Sequence, residues 1–159
     1  MDSMKNDIPV VDYNQTTKDY KSSRQNKFGG YHKAKRPPED TELTHVGIGT
    51  PCGEFFRRSW IPVVMTQELV DVPKRVRILG EDLVAFKDKS GDYGLLHLHC
   101  SHRNASLEFG VIEDKGLRCC YHGWLYDTDG TILEMPLQDS EGGSKICHGA
   151  YPVKEYKGL

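Results

Sequence analysis

The sequence predicts an all-β fold. Short runs of β-branched and aromatic residues follow one another after Trp60, as is typical of strands. Turn residues separate these runs at Gly80-Glu81, Lys89-Ser90-Gly91 and Thr128-Asp129-Gly130, where glycine or aspartate suits a hairpin turn. The predicted strands are Ile61–Met65, Val76–Leu79, Leu83–Lys87, Tyr93–His99, Leu117–Cys119, Trp124–Asp127, Thr131–Glu134 and Tyr151–Tyr156.

The region before these strands divides into a polar arm and a short helix. Residues 1–42 are rich in Lys, Asn, Gln, Ser and Asp, a composition that disfavours a packed core, so we expect a mobile arm there and one domain over residues 43–159. Thr50-Pro51 offers an N-cap followed by proline at the first helical position. Phe55, Phe56 and Trp60 can supply an apolar stripe to that helix.

Composition excludes several classes of function. The 159 residues carry a formal net charge of −2, which gives no electrostatic case for nucleic-acid binding. No stretch approaches the roughly 20 apolar residues of a membrane span, and the N-terminus lacks the apolar run of a secretory signal, so we expect a cytoplasmic protein. Five cysteines are an odd number, which favours ligation or burial over a disulfide framework. Cys52 and Cys147 are predicted to be small buried or half-buried groups.

Two boxes carry the chemistry. Cys100-Ser101-His102 opens the first and Cys119-Cys120-Tyr121-His122 opens the second, so each supplies one thiolate and one imidazole. Two such loops brought together provide four ligands of mixed softness. Zinc fingers instead tend to pair cysteine with cysteine and histidine with histidine, although a structural zinc site and chance co-occurrence remain alternatives. Cys120 is a rival to Cys119 as the ligand.

The sequences CSHRNASLEFG and LRCCYHGWLYDTDG resemble the two boxes of the Rieske domain in ring-hydroxylating nonhaem-iron oxygenases. The segments GTPCGEFFRRSWIPV and RILGEDLVAFKD are similar to the phthalate-dioxygenase-like branch of their large (alpha) subunits, and the resemblance covers about Leu43 to Leu159. It implies an antiparallel β sandwich with two cluster-binding loops and a [2Fe–2S] cluster. Its implied ligands are Cys100 and Cys119 on the inner iron, and His102 and His122 on the surface-facing outer iron.

The resemblance also implies a function. In the family, this domain passes electrons from an NAD(P)H-dependent reductase or a ferredoxin to a mononuclear Fe(II) site in a catalytic domain, and the full-length proteins are expected to be homo-oligomers. A stand-alone Rieske ferredoxin is the alternative. The histidines outside the two boxes form no recognisable motif of two histidines and one carboxylate, so we expect these 159 residues alone to transfer electrons and to leave oxygenation to a catalytic domain absent from this chain.

The boxes depart from the family pattern at two positions. Ser101 stands where the family usually has proline, and Asn104 stands where it usually has glycine. If that glycine is needed for a positive φ, asparagine is the next most permissive residue. The respiratory-chain type of Rieske protein has a serine donor where this chain has Trp124. We therefore expect a reduction potential in the lower part of the Rieske range.

Several other side chains have both a functional and a structural interpretation. Arg57 and Arg58 could dock a reductase, but a solvated helix face is the simpler prediction. His97 and His99 alternate along a strand and so share one face, which we expect to be solvated or at an interface. Arg103 could orient a partner or form a loop salt bridge. Tyr121 and Trp124 could shield the cluster or belong to the core.

Overall fold

The computed structural model describes residues 39–136 and 146–159. Residues Thr41–Leu159 form one compact unit. The predicted arm at residues 1–42 lies outside the described residues except for its last four positions. Within the described ranges, no helix is both long enough and apolar enough to cross a membrane.

Between residue 39 and the first strand, the structure contains two short helices. Helix α1 spans Thr41–Thr44 and helix α2 spans Pro51–Phe56. The Thr50 side chain accepts a hydrogen bond from the Gly53 N–H, and Pro51 occupies the first turn, so the predicted helix start is confirmed. Two 3₁₀ turns follow, at Thr66–Glu68 and Leu107–Phe109.

The predicted apolar stripe on helix α2 is wrong. Phe55 and Trp60 are each 70% exposed, and Phe56 is 43% exposed. The helix has only six residues, and an arginine that follows it provides the anchor instead. Arg57 bonds the Glu81 carboxylate at 2.7 Å and also donates to the carbonyls of Val46 and Leu79. Arg57 is therefore structural, contrary to the predicted solvated face, whereas Arg58 is exposed.

In the ranges that the structure describes, eight strands form two antiparallel sheets. The first sheet has the order β1-β2-β3-β8 and the second has the order β4-β5-β6-β7. The strands are β1 Lys74–Ile78, β2 Glu81–Lys87, β3 Tyr93–His97, β4 Val111–Ile112, β5 Leu117–Arg118, β6 Leu125–Tyr126, β7 Ile132–Glu134 and β8 Ala150–Tyr151. The predicted all-β antiparallel architecture is confirmed.

Strand β2 is buried on both faces, which explains its continuous apolar run. Val84 and Phe86 belong to the main core, which includes residues of both sheets, whereas Leu83 and Ala85 belong to a second cluster. Val63 and Val64 pack against that second cluster. The predicted strand Ile61–Met65 is therefore wrong, because this segment contributes side chains to the second cluster and forms no ladder.

The other strand predictions are confirmed in place, although the bounds differ. The first hairpin turns at Leu79-Gly80, where both residues have positive φ, one position before the predicted turn. Strand β8 is much shorter than the predicted Tyr151–Tyr156, and strand β4 was not predicted at all. Two-residue strands such as β4 have too few positions to show an alternating pattern.

The core holds the starting point of each box. Strand β3 leads to Cys100 and strand β5 leads to Cys119, and each cysteine is 2% exposed within the main core. Leu98 and Leu117, close before the two cysteines, are likewise buried. The sandwich thus fixes one end of each box in its interior while the rest of each box reaches toward the surface.

Candidate metal centre

The first box folds into a tight loop from Cys100 to Ala105. The Cys100 N–H donates to the Ala105 carbonyl at 2.9 Å, and the Asn104 N–H donates back to the Cys100 carbonyl at 2.9 Å. These two bonds close the loop around Ser101 and His102. The loop therefore holds its own shape by backbone hydrogen bonds.

The second box repeats the same closure. The Cys119 N–H donates to the Trp124 carbonyl at 2.8 Å, and the Gly123 N–H donates to the Cys119 carbonyl at 3.1 Å. The spacing between the bonded residues matches that of the first loop. The two loops therefore share one backbone design, although their histidines stand two and three residues after the cysteine.

The fifth residue of each loop has a left-handed backbone. Asn104 has φ +56° and Gly123 has φ +76°. Glycine adopts this region freely, and asparagine is among the few other residues that tolerate it. Asn104 therefore adopts the positive φ for which asparagine is the most permissive residue after glycine.

The two thiols lie together at the base of the loops. Burial raises the pKa of the Cys119 thiol, while the backbone N–H groups of Tyr121 and His122 act in the opposite direction. Interaction with the neighbouring Cys100 thiol raises the pKa further. Bound metal deprotonates a coordinating thiol outright, so this buried pair suits metal ligation better than it suits exposed thiol chemistry.

The two imidazoles lie together toward the surface. The His102 and His122 ring centroids are 4.7 Å apart, with His102 half-buried and His122 exposed. Desolvation and the nearby His122 and Arg103 lower the pKa of His102, which favours the neutral imidazole that binds metals. The structure thus pairs sulfur with sulfur and imidazole with imidazole.

Trp124 and Tyr121 contact the two histidines differently. The Trp124 ring stacks on the His102 ring at 4.9 Å with an interplanar angle of 3°, and Trp124 is buried. Tyr121 is 62% exposed and its ring lies 3.8 Å from the His122 ring. Trp124 therefore belongs to the core and also orients His102, whereas Tyr121 is an exposed ring in contact with the exposed His122 ring.

Sequence reasoning missed Tyr126 as part of this site. Its hydroxyl lies 3.0 Å from the Cys100 sulfur, and the ring is fully buried. Burial and the interaction with Cys100 raise the pKa of Tyr126, so the phenol keeps its proton. A ligating Cys100 would be a thiolate and Tyr126 would then be the donor. Nothing in the sequence pairs Tyr126 with Cys100, because the two residues are 26 positions apart.

Arg118 supports the second loop from outside. It donates to the Gly123 carbonyl at 2.7 Å and to Glu134 at 2.7 Å, and it forms a further ion pair with Glu113. These carboxylates raise the pKa of Arg118. The carbonyl at the left-handed position of the second loop therefore has a charged side-chain donor.

The remaining candidate residues do not belong to the thiol pair or to the imidazole pair. All five cysteines have free thiols, and Cys120 is exposed beside buried Cys119. Cys52 is half-buried as predicted, whereas Cys147 is exposed because it lies on an irregular segment that contributes only an isolated bridge. His97 and His99 are exposed, as is Arg103.

The donor set fits a [2Fe–2S] cluster of Rieske type. That cluster takes two thiolates on one iron and two imidazoles on the other, and the structure provides one buried thiol pair and one outer imidazole pair. In the described part of the chain, no three His, Cys, Asp or Glu side chains converge on a single ion. Cys100, His102, Cys119 and His122 are the residues that would hold the cluster.

Residues 59–157 match the Rieske [2Fe–2S] domain family. The chain therefore belongs to that family, and its expected cofactor is the [2Fe–2S] cluster. The similarity to oxygenase large subunits, including the phthalate 4,5-dioxygenase oxygenase subunit, is confirmed by the relatives.

Two curated relatives illustrate this similarity. The oxygenase subunit of tert-butanol monooxygenase / tert-amyl alcohol desaturase from Aquincola tertiaricarbonis is 53% identical over 77% of this chain and 26% of its own length. The alpha subunit of phenoxybenzoate dioxygenase from Ectopseudomonas oleovorans is 43% identical over 98% of this chain and 36% of its own length. The chain thus spans between a quarter and just over a third of these two relatives.

A solved structure shares the fold. NdmA from Pseudomonas putida CBB5 superposes with a TM-score of 0.58 at 30% identity, covering 67% of this chain and 34% of NdmA. The expected Rieske-type sandwich is therefore confirmed by sequence and by structure.

Proposed function

We propose that this chain is the electron-transfer domain of an aromatic-ring-hydroxylating Rieske oxygenase component, with Cys100, His102, Cys119 and His122 as the cluster ligands. The observation that carries the proposal is the pair of matched loops, which buries two thiols and brings two imidazoles toward the surface. When bound, the cluster accepts and releases one electron at a time. The named oxygenase relatives favour this function over the stand-alone ferredoxin.

The residues around the loops have separable tasks. Tyr126 offers an O–H donor to the Cys100 sulfur, and Trp124 holds the His102 ring by stacking. His122 is the most exposed of the four proposed ligands, so it is the proposed contact for an electron donor or acceptor. The proposed cysteine ligands are thus buried, whereas the proposed ligand His122 is accessible for electron exchange with a partner.

The proposed partners follow from this assignment. We propose an NAD(P)H-dependent reductase or a ferredoxin as the electron donor, and a mononuclear Fe(II) site in a catalytic domain as the acceptor. A homo-oligomer is proposed for the full-length protein. The free thiols of all five cysteines support a reducing compartment, in line with the predicted cytoplasmic location.

Reconstitution tests the proposal directly. The chain is loaded anaerobically with iron and sulfide, and its iron and acid-labile sulfide are then measured. Reduction is followed by visible absorption after addition of NADH and a phthalate-oxygenase-type reductase. We expect equal iron and sulfide contents and a reducible spectrum. A colourless protein that binds zinc in preference to iron would contradict the proposal.

A further inference from the structure

His148 lies at the junction of three elements of the site. It is 5% exposed, and sequence analysis gave it no role. Its Nδ1 atom lies 2.7 Å from the Ser101 hydroxyl of the first loop, and its Nε2 atom lies 2.9 Å from the His97 carbonyl at the end of strand β3. Its ring also packs against the Tyr126 ring, with centroids 4.5 Å apart.

The hydrogen-bond partners fix the direction of each bond. A carbonyl only accepts, so the hydrogen must sit on Nε2 of His148. In the neutral ring Nδ1 is then an acceptor, and the Ser101 hydroxyl must donate to it. Burial lowers the pKa of His148, which agrees with the neutral ring. The Ser101 side chain therefore has one defined orientation.

The backbone around His148 is held on two sides. The His148 N–H donates to the Gly130 carbonyl at 2.8 Å, and the His97 N–H donates to the Gly149 carbonyl at 2.8 Å. Gly149 allows a close approach, because a Cβ there would lie 2.3 Å from the His97 ring. The His148 ring is thus a fixed support against which the first loop and Tyr126 can rest.

Ser101 connects this support to the sulfur. It follows Cys100 directly, and its hydroxyl bonds the His148 ring that packs against the Tyr126 ring. The Tyr126 hydroxyl is the group 3.0 Å from the Cys100 sulfur. Serine at this position therefore gives the first loop a side-chain anchor that proline could not provide.

We propose that His148 is a positioning residue that, through the Ser101 hydroxyl and by contact with the Tyr126 ring, holds the Tyr126 O–H donor against the Cys100 sulfur. The inference rests on the proposed ligand role of Cys100. A donor aimed at a ligating sulfur stabilises the reduced cluster, because the added electron increases the negative charge on the sulfurs. His148 and Ser101 therefore raise the reduction potential without contacting the cluster.

The test compares midpoint potentials of the reconstituted protein by spectroelectrochemical titration. The variants are Ser101→Ala, His148→Phe and Tyr126→Phe, with Cys147→Ser as the neighbouring control. We expect Tyr126→Phe to move the potential furthest in the negative direction, and Ser101→Ala and His148→Phe to move it part of the way. Cys147→Ser should match the parent chain.

Double variants distinguish positioning of the Tyr126 hydroxyl from a general loss of rigidity around the site. If Ser101 and His148 act through Tyr126, then Ser101→Ala should add no shift to Tyr126→Phe. The inference would be overturned if Ser101→Ala shifted the potential equally in the parent chain and in the Tyr126→Phe background. It would also be overturned if neither Ser101→Ala nor His148→Phe changed the potential. Ser101→Ala removes one oxygen from an exposed residue, so it decides the matter if His148→Phe does not fold. A parent chain that binds no cluster would refute the proposed function instead.

Discussion

The two cluster loops have the same backbone but different support. Each is closed by a pair of backbone hydrogen bonds between residues at the same spacing, with a left-handed residue in fifth place. The first loop rests on contacts to uncharged side chains, from buried Tyr126 to Cys100 and from His148 to Ser101. The second loop rests on Arg118 and its carboxylate partners. The backbone thus sets the ligand geometry, while the supports are free to differ.

The largest expected effect concerns the two adjacent cysteines of the second loop. Cys119→Ser should abolish the visible cluster spectrum, because serine offers no soft thiolate at the buried position. Cys120→Ser is the matched control and should leave the spectrum intact, because Cys120 is exposed. Absorption spectra and iron content check both variants. A cluster that survives Cys119→Ser but not Cys120→Ser would transfer the ligand role to Cys120.

Removing the charged support of the second loop should have the next largest effect. Arg118→Met removes the side-chain donor of the Gly123 carbonyl and the ion pairs with Glu113 and Glu134, at an expected cost of about 2 kcal/mol in the free energy of unfolding. Urea unfolding measures this change in the free energy of unfolding. Arg103→Met in the first loop is the control, and because Arg103 is exposed it should change stability by no more than about 0.5 kcal/mol. Equal losses of stability in Arg118→Met and Arg103→Met would contradict the proposed difference in support between the two loops.

The left-handed positions test the shared backbone itself. Gly123→Ala should cost about 1–2 kcal/mol, because a Cβ is unfavourable at its φ of +76°. Asn104→Gly should change stability by less than about 1 kcal/mol, because relief of strain offsets the greater freedom of the unfolded chain. Thermal unfolding compares the two. A tolerated Gly123→Ala would show that the second loop does not need this conformation.

Low pH should slightly weaken the ion pair between Arg118 and Glu113 that supports the second loop. The hydrogen bond from Arg118 lowers the pKa of Glu113 below its ordinary value of 4.5, although burial opposes the shift. A carboxylate with a lowered folded-state pKa contributes stability above its unfolded-state pKa and loses that contribution as the pH falls through the folded-state value. The stability difference between the parent chain and Glu113→Gln should therefore shrink below pH 4.5. A stability difference between the parent chain and Glu113→Gln that stays constant as the pH falls below 4.5 would contradict this prediction.

Sequence reasoning succeeded where chemistry is local. Thr50-Pro51 predicted a helix start, the hairpin turns predicted most strands, and the need for a positive φ predicted the conformation of Asn104. Each of these features depends on residues a few positions apart. The proposed ligand residues were likewise visible as two short boxes, and the structure brings the thiols and the imidazoles together in pairs.

Sequence reasoning failed where partners are distant. Ser101 and His148 are 47 residues apart, and Cys100 and Tyr126 are 26 residues apart, so no local pattern could pair them. The expectation of a low potential counted only a missing serine donor and overlooked Tyr126. The exposure of Phe55 and Trp60 was missed for a similar reason. Arg57 anchors this segment in their place, and its partner Glu81 is 24 residues away.

The central claim is that two imidazoles and two thiolates hold one cluster. Pulsed EPR of the reduced, reconstituted protein, prepared with ¹⁵N-labelled histidine, tests it most directly. We predict strong couplings to two histidine nitrogens that disappear with the cluster signal in His102→Ala and His122→Ala and persist in His99→Ala, whose exposed ring lies outside the four proposed ligands. A cluster signal without histidine nitrogen coupling would show all-thiolate ligation and would contradict the account.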